Sequence, residues 1–203
     1  MATLRVGQMV PDTEAEGPGR RFAIWVQGCP LRCAECCNPE LLGFSGGTEH
    51  DTAELAKRIA ATPGIEGVTF LGGEPLSQPA AVLDLARRVR EHGLSIMVFT
   101  GFTLDELRAR ERQDIDELLE HTDLLVDGRY ERDQPDSERR WIGSRNQVMH
   151  FLSDRYAKDD PRFHARNTVE IRLGPDGLTV NGWPSVADAL TAALVRDRDG
   201  DLS

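Results

Sequence analysis

RFAIWVQGCPLRCAECCNPEL, residues 21–41, joins a short apolar run to a loop that holds all four cysteines of the 203-residue chain. Residues 21–27 are rich in strand formers and Gly28 stops them, so the stretch predicts a strand running straight into the cysteine loop. A disulfide scaffold fits poorly, because such scaffolds spread their cysteines to close loops and here one loop holds them all. MATLRVGQMVPDTEAEG has no apolar core or cleavage pattern of a signal peptide, and no run approaches the roughly 18 apolar residues of a transmembrane helix. The sequence reads as cytoplasmic, in a reducing compartment, with no membrane. A net charge of -10 argues against the basic face that non-specific nucleic-acid binding needs. The length suits one domain with a sizeable core.

Outward from the cysteines, helices and strands alternate. DTAELAKRIAAT (51–62) predicts a helix with capping-box spacing at Asp51 and Glu54, ended by Pro63-Gly64. VTFL (68–71) is a strand stopped by Gly72-Gly73. QPAAVLDLARRVREHG puts Val82, Leu85, Ala86 and Val89 on one face of a helix closed by Gly93. LSIMVF (94–99) is the next strand, and Thr103 and Glu106 cap a helical stretch through about Leu119. DLLV (123–126) is a fourth strand, ending at Asp127-Gly128. This rhythm implies βα units and a mainly parallel sheet. Residues 131–140 read as an exposed charged loop, TVEIRLGPDGLTV as a β-hairpin, SVADALTAALV as a last helix and RDRDGDLS as a frayed tail.

The turns at 28–38, 72–75, 100–101 and 127–129 each follow the C-terminal end of a predicted strand. A parallel sheet gathers those ends on one edge, where α/β folds build their sites. Cys29, Cys33 and Cys36 have the spacing C-x3-C-x2-C. Zinc takes four N or S ligands from paired knuckles, and no second knuckle or histidine pair is present. A cubane iron-sulfur cluster takes close-set thiolates from one loop, and three of them leave one iron free for another ligand. A closed site using Cys37 as fourth ligand is the alternative, hampered by the difficulty of two adjacent cysteines reaching one metal. Cys37 otherwise reads as a small buried residue. Trp25, Phe70, Met97 and Phe99 read as strand core, and the five histidines have no ligand-like spacing.

The cysteine motif after a first strand, with Gly72-Gly73-Glu74-Pro75 after a second, resembles the radical S-adenosylmethionine enzymes. EGPGRR (16–21), WVQGC (25–29), CNPE (37–40), FTGFTLDEL (99–107), DLLVDGRYERD (123–133) and WIGSRNQ (141–147) together resemble the glycyl-radical-enzyme activases, above all those that serve anaerobic ribonucleotide reductase. The resemblance covers nearly the whole chain and is weakest after about residue 155. It implies a single-domain, partial (β/α)6-type barrel with a C-terminal β-hairpin and helix: an N-terminal arm at 1–20, a βα core at 21–150 with the cluster loop at 28–38, and a hairpin and tail at 151–203.

It also implies a 4Fe-4S cluster on Cys29, Cys33 and Cys36 that chelates S-adenosyl-L-methionine at its unique iron. One-electron cleavage of the sulfonium then gives a 5'-deoxyadenosyl radical that abstracts a hydrogen atom. The implied partners are a glycyl-radical enzyme as protein substrate and an external one-electron donor such as flavodoxin or ferredoxin. Gly72, Gly73 and Glu74 would line the methionine end, Gly-Gly allowing close backbone approach and Glu74 accepting from the ammonium. Thr100, Asp127 and Arg129 sit at the next two strand ends, with Asp127 or Arg129 expected on ribose or carboxylate. Asn38 would cap or order the cluster loop, and EGPGRR would fold over the site.

Three positions depart from the family pattern. Glu35 replaces the usual aromatic or glycine before the third cysteine, where an acid either lowers the cluster potential or faces water. Cys37 replaces a histidine or tyrosine, and Ile142 an arginine. A radical enzyme acting on a peptide or small metabolite, and a non-enzymatic iron-sulfur or zinc module for binding or electron transfer, are the competing readings.

Overall fold

The computed structural model describes residues 2–174 and 177–182. Nine strands and four α-helices alternate along it: β1 (Thr3–Thr13), β2 (Arg21–Val26), β3 (Thr48–Asp51), α1 (Thr52–Ala60), β4 (Gly67–Gly72), α2 (Pro79–Arg90), β5 (Ser95–Phe99), α3 (Leu104–Arg108), α4 (Gln113–His121), β6 (Leu124–Asp127), β7 (Val148–Phe151), β8 (Val169–Gly174) and β9 (Gly177–Gly182). Seven strands form one sheet in the order β3-β1-β2-β4-β5-β6-β7. Its centre, β2-β4-β5-β6, is parallel, and β1, β3 and β7 are antiparallel margins. The fold is α/β with a mixed sheet, parallel at its centre, and a separate β8-β9 hairpin. The expected last helix and tail lie outside the described residues.

The central strands are apolar runs because both of their faces are covered. Phe22, Ile24, Val26, Val68, Phe70, Ile96, Val98 and Leu125 pack against Leu55 and Ile59 of α1, Val82, Leu85, Ala86 and Val89 of α2, and Ile115 and Leu118 of α4. The alternate residues point the other way. Met97, Leu124 and Val126 meet Trp141, Tyr156 and Phe163, while Ala23, Trp25 and Leu71 meet Val10 and Leu41. Asp51 caps α1 by accepting from the Ala53 and Glu54 N–H groups. Pro79 opens α2, where a missing N–H costs nothing.

Several expectations change. The 1–20 arm is mostly an eleven-residue strand, β1. Its alternation is broken by register shifts between Val6 and Gln8 and between Val10 and Thr13, which hide the strand pattern. The helix expected from Thr103 to Leu119 is two, α3 and α4, parted at Glu111, whose φ of +49° no helix accommodates. The capping box at Thr103 and Glu106 is present. EGPGRR does not fold over the cysteine loop. Because β1 runs antiparallel to β2, the turn lies where the parallel strands begin, at the opposite end.

At that starting end the fully buried Arg21 is enclosed by acceptors. It donates to Thr69 Oγ1, the Val68, Ser95 and Pro18 carbonyls, Ser95 Oγ and Tyr156 OH. Tyr156 OH also donates to Glu66, which Arg162 pairs at 3.0 Å. Glu16, buried beside them, accepts from Asn181 of β9.

Candidate active site

The opposite edge carries the four turns, and hydrogen bonds lace them together. Gly73 N–H donates to the Val26 carbonyl and Glu74 N–H to the Gly28 carbonyl, both at 2.9 Å. The Glu74 carboxylate then accepts from Leu76 N–H (2.8 Å), Thr100 Oγ1 (2.9 Å) and Gly101 N–H (2.9 Å), joining the β4 turn to the β5 turn. Thr100 N–H donates to the Val126 carbonyl and Gly128 N–H to the Phe102 carbonyl, joining β5 to β6. The turns converge as the strand polarity requires.

Gly72-Gly73 has a reason inside the protein. Gly72 takes φ +98°, and a Cβ on Gly73 would stand 2.6 Å from the Gly28 carbonyl oxygen. The close approach is made to the root of the cysteine loop. That loop is also held from behind: Gly28 and Cys29 N–H donate to the Leu41 and Leu42 carbonyls, and the buried Gln27 side chain holds the Glu40 and Gly43 carbonyls. Gln27 and Leu31, whose methyl packs on Gly101, belong to the site's frame. WVQGC contains Gln27, but spacing alone assigned it no task.

Cys29 is buried and Cys33, Cys36 and Cys37 are half-buried. Burial pushes the Cys29 and Cys33 thiols up, and neighbouring Cys36 and Glu74 add to it. For Cys33, Arg129 opposes the rise. Cys36 is pulled down to about 6, first by a hydrogen bond with Cys37 and then by the Asn38 N–H, against its burial. Asn38 orders this corner: its Nδ2 lies 3.5 Å from Cys37 Sγ and its carbonyl accepts from Leu41 N–H. Glu35 is exposed.

The donor set fits a cluster better than a lone ion. Cys36 bears electrostatically on both Cys29 and Cys33, and among the described residues no three His, Cys, Asp or Glu side chains are grouped as ligands of a single metal ion. A closed zinc site needs four ligands around one ion. A cubane binds each thiolate at a separate iron, so its thiolates belong apart.

The other expected residues divide. Glu74 is 1 % exposed, and burial, outweighing its three hydrogen bonds, lifts its carboxyl to about 7. Asp127 shares the helix-side face of β6 with Leu125, and its Oδ2 accepts from Leu104 N–H at 2.7 Å, under the first turn of α3. His150 Nε2 lies 2.9 Å from the same oxygen without hydrogen-bond alignment. Asp127 is thus turned away from the cysteines. Arg129 stays at the strand-end turns: its stem passes Gly101, against which Leu31 of the cysteine loop also packs, and its guanidinium lies 3.6 Å from Glu106. A shallow groove of about 740 Å³ lies on the helix layer, lined by Arg87, Arg108, Glu117 and His121 among others, away from these turns.

Three cysteines of one loop at the strand-end edge of an α/β sheet match what the resemblance to the radical S-adenosylmethionine enzymes implies. A family model described as a 4Fe-4S single cluster domain matches residues 15–150. The chain is 33% identical over 158 residues to an anaerobic ribonucleoside-triphosphate reductase-activating protein of Salmonella typhimurium, covering 73% of this chain and 99% of the relative. It is 33% identical over 153 residues to the protein of that name from Escherichia coli, covering 71% and 97%. It is also 35% identical over 117 residues to a pyruvate formate-lyase-activating enzyme of Clostridium pasteurianum, covering 55% and 46%. The chain belongs to the radical S-adenosylmethionine family of glycyl-radical-enzyme activases, whose cofactors are a 4Fe-4S cluster and S-adenosylmethionine. No helix among the described residues is long and apolar enough to cross a membrane.

Proposed function

We propose that the chain activates an anaerobic ribonucleoside-triphosphate reductase by abstracting a hydrogen atom from a backbone glycine of that partner. The carrying observation is the match to activating proteins of that reductase over 99% of the relative's length. In this reading Cys29, Cys33 and Cys36 ligate the cluster, and the Gly72-Gly73-Glu74 turn lines the methionine end of S-adenosylmethionine. When bound, the cluster supplies the electron that cleaves S-adenosylmethionine to methionine and a 5'-deoxyadenosyl radical, which takes the hydrogen.

The chain's own residues bind and orient. Thr100 and Gly101 hold the Glu74 carboxylate in place, Arg129 offers paired donors to a carboxylate, and Cys37 and Asn38 order the loop at Cys36. Glu35 faces solvent at the rim. Asp127 acts at one remove, setting α3 and the Gly101-Phe102 turn. We read residues 1–203 as one unit and its sheet as the partial (β/α)6 barrel of the family, working in the cytoplasm with a flavodoxin- or ferredoxin-type electron donor. The net charge of -10 supports a function without nucleic acid.

The test is anaerobic reconstitution with iron and sulfide, then dithionite and S-adenosylmethionine, with and without an anaerobic reductase. The expected result is 5'-deoxyadenosine formation and a glycyl-radical doublet by electron paramagnetic resonance on the reductase, both lost in Cys33→Ala. Cleavage without any protein radical would overturn the substrate, and a formed cluster without cleavage would overturn the chemistry.

A further inference from the structure

The function above gives no role to WIGSRNQ, residues 141–147, which lies more than a hundred residues from the cysteines in sequence. In space its last two residues reach back to the turn after β6. Asn146 Nδ2 donates to the Arg129 carbonyl at 2.7 Å, and Gln147 Nε2 donates to the Gly128 carbonyl at 3.0 Å. The other end of Gln147 is held too, since Oε1 accepts from Gly143 N–H (3.0 Å) and Ser144 N–H (3.1 Å).

Behind them Arg139 donates to the Gln147, Ser144 and Arg145 carbonyls while bonded to Asp136. The Asp136 carboxylate, nearly buried, accepts from the Glu138 and Arg139 N–H groups. Residues 141–147 are thus a clamp closed on two consecutive carbonyls, and the loop expected at 131–140 supplies its braces, Asp136 and Arg139.

Those two carbonyls set where one side chain goes. Gly128 takes φ +97°, outside strand geometry, so the course of the chain beyond β6 is not dictated by the sheet. The clamp dictates it instead. The stem of Arg129 then passes Gly101, with Cγ 3.9 Å from the place a Cβ there would occupy, a place that also lies 2.5 Å from Leu31 Cδ1 of the cysteine loop and 3.8 Å from Glu74 Oε2. With a side chain 48% exposed, the guanidinium can still meet a ligand.

We infer that Asn146 and Gln147 are positioning residues: they hold the Gly128-Arg129 backbone so that the Arg129 guanidinium faces the carboxylate of S-adenosylmethionine at the cysteine loop. This rests on the reading of that loop as the cofactor site. A guanidinium fixed in advance loses less freedom on engaging a carboxylate, and its planar donors match the two oxygens.

The test measures S-adenosylmethionine affinity of the cluster-loaded protein by anaerobic calorimetry for Asn146→Ala and Gln147→Glu, alone and combined with Arg129→Gln. Gln147→Glu keeps the acceptor for Gly143 and Ser144 but cannot donate to Gly128, so it cuts the tether and spares the loop. Arg129→Gln should weaken binding about 10- to 100-fold, as expected for a charge-assisted hydrogen bond. Each tether variant should weaken it about 3- to 10-fold alone, and less than about twofold once Arg129 is gone.

Hydrogen exchange on the cluster-free protein gives an independent readout. In both tether variants the amides of residues 129–131 should exchange faster while those of β4 and β5 do not change. Unchanged affinity in the tether variants, or an equal loss with and without Arg129, would overturn the inference. A wild-type protein that forms its cluster and binds no S-adenosylmethionine would overturn the cofactor reading, and the inference with it.

Discussion

The two ends of the parallel strands solve the same problem in opposite ways. Both gather buried polar groups where β2, β4 and β5 begin or end. At the starting end Arg21 makes six hydrogen bonds to neutral groups, and Tyr156 links it to the Glu66 carboxylate. At the finishing end the backbone is laced as tightly, but Cys33 and Cys36 stay half-buried and the Arg129 guanidinium, 3.6 Å from Glu106, stays half-exposed. The starting end is built for stability and the finishing end for a guest, the division that α/β folds show generally. The two buried carboxyls make the parallel plain. Glu16 and Glu74 are each pushed up to about 7 by burial, one in a sealed network and one at the lip of the site.

Crossing the two ends gives the largest contrast. Cys33→Ala should abolish cluster loading and lower 5'-deoxyadenosine formation more than about 100-fold, while shifting urea unfolding of the metal-free protein by less than about 0.5 kcal/mol. Arg21→Leu should do the reverse. It strands the Thr69, Val68 and Ser95 acceptors and should cost about 3 kcal/mol or more in urea unfolding, with activity per folded molecule retained. Gly73→Ala should damage both properties, by about 2 kcal/mol and most of the iron content, because its methyl meets the Gly28 carbonyl.

The pH dependence sharpens the comparison. A carboxyl whose folded pKa of about 7 exceeds its ordinary 4.5 binds its proton more tightly when folded. Its contribution is complete below pH 4.5 and is lost as pH rises through 7, on the order of 3 kcal/mol for each group. Urea unfolding of the metal-free protein should therefore show stability falling across that window, with a smaller fall in Glu16→Gln. The smallest effect belongs to Thr103→Ala, which removes the α3 capping box at a cost of about 1 kcal/mol by the same measurement.

The parts of this architecture that are local could be read from the chain. β2, β4, β5, β6, α1 and α2 each carry a continuous or periodic apolar pattern, and three cysteines within one loop are legible by spacing. What went unread is relational. β1 hides behind two register shifts, β3 is the polar tetrapeptide Thr48–Asp51, and the α3-α4 break sits at Glu111, where neither glycine nor proline marks it. Asp127 stands at a strand end as expected, but its face is set by the parity of β6. The carbonyls that Asn146 and Gln147 hold lie 17 and 19 residues away in sequence, beyond any periodicity.

The order in which the ribosome delivers these pieces has a consequence. The whole cysteine set is synthesised within residues 29–37, whereas Arg129 follows about ninety residues later and its clamp later still. The growing chain therefore presents reactive thiols before the walls that surround them exist. Cluster insertion suits the completed edge, and a stalled or truncated chain would display the same thiols to any stray metal ion or oxidant.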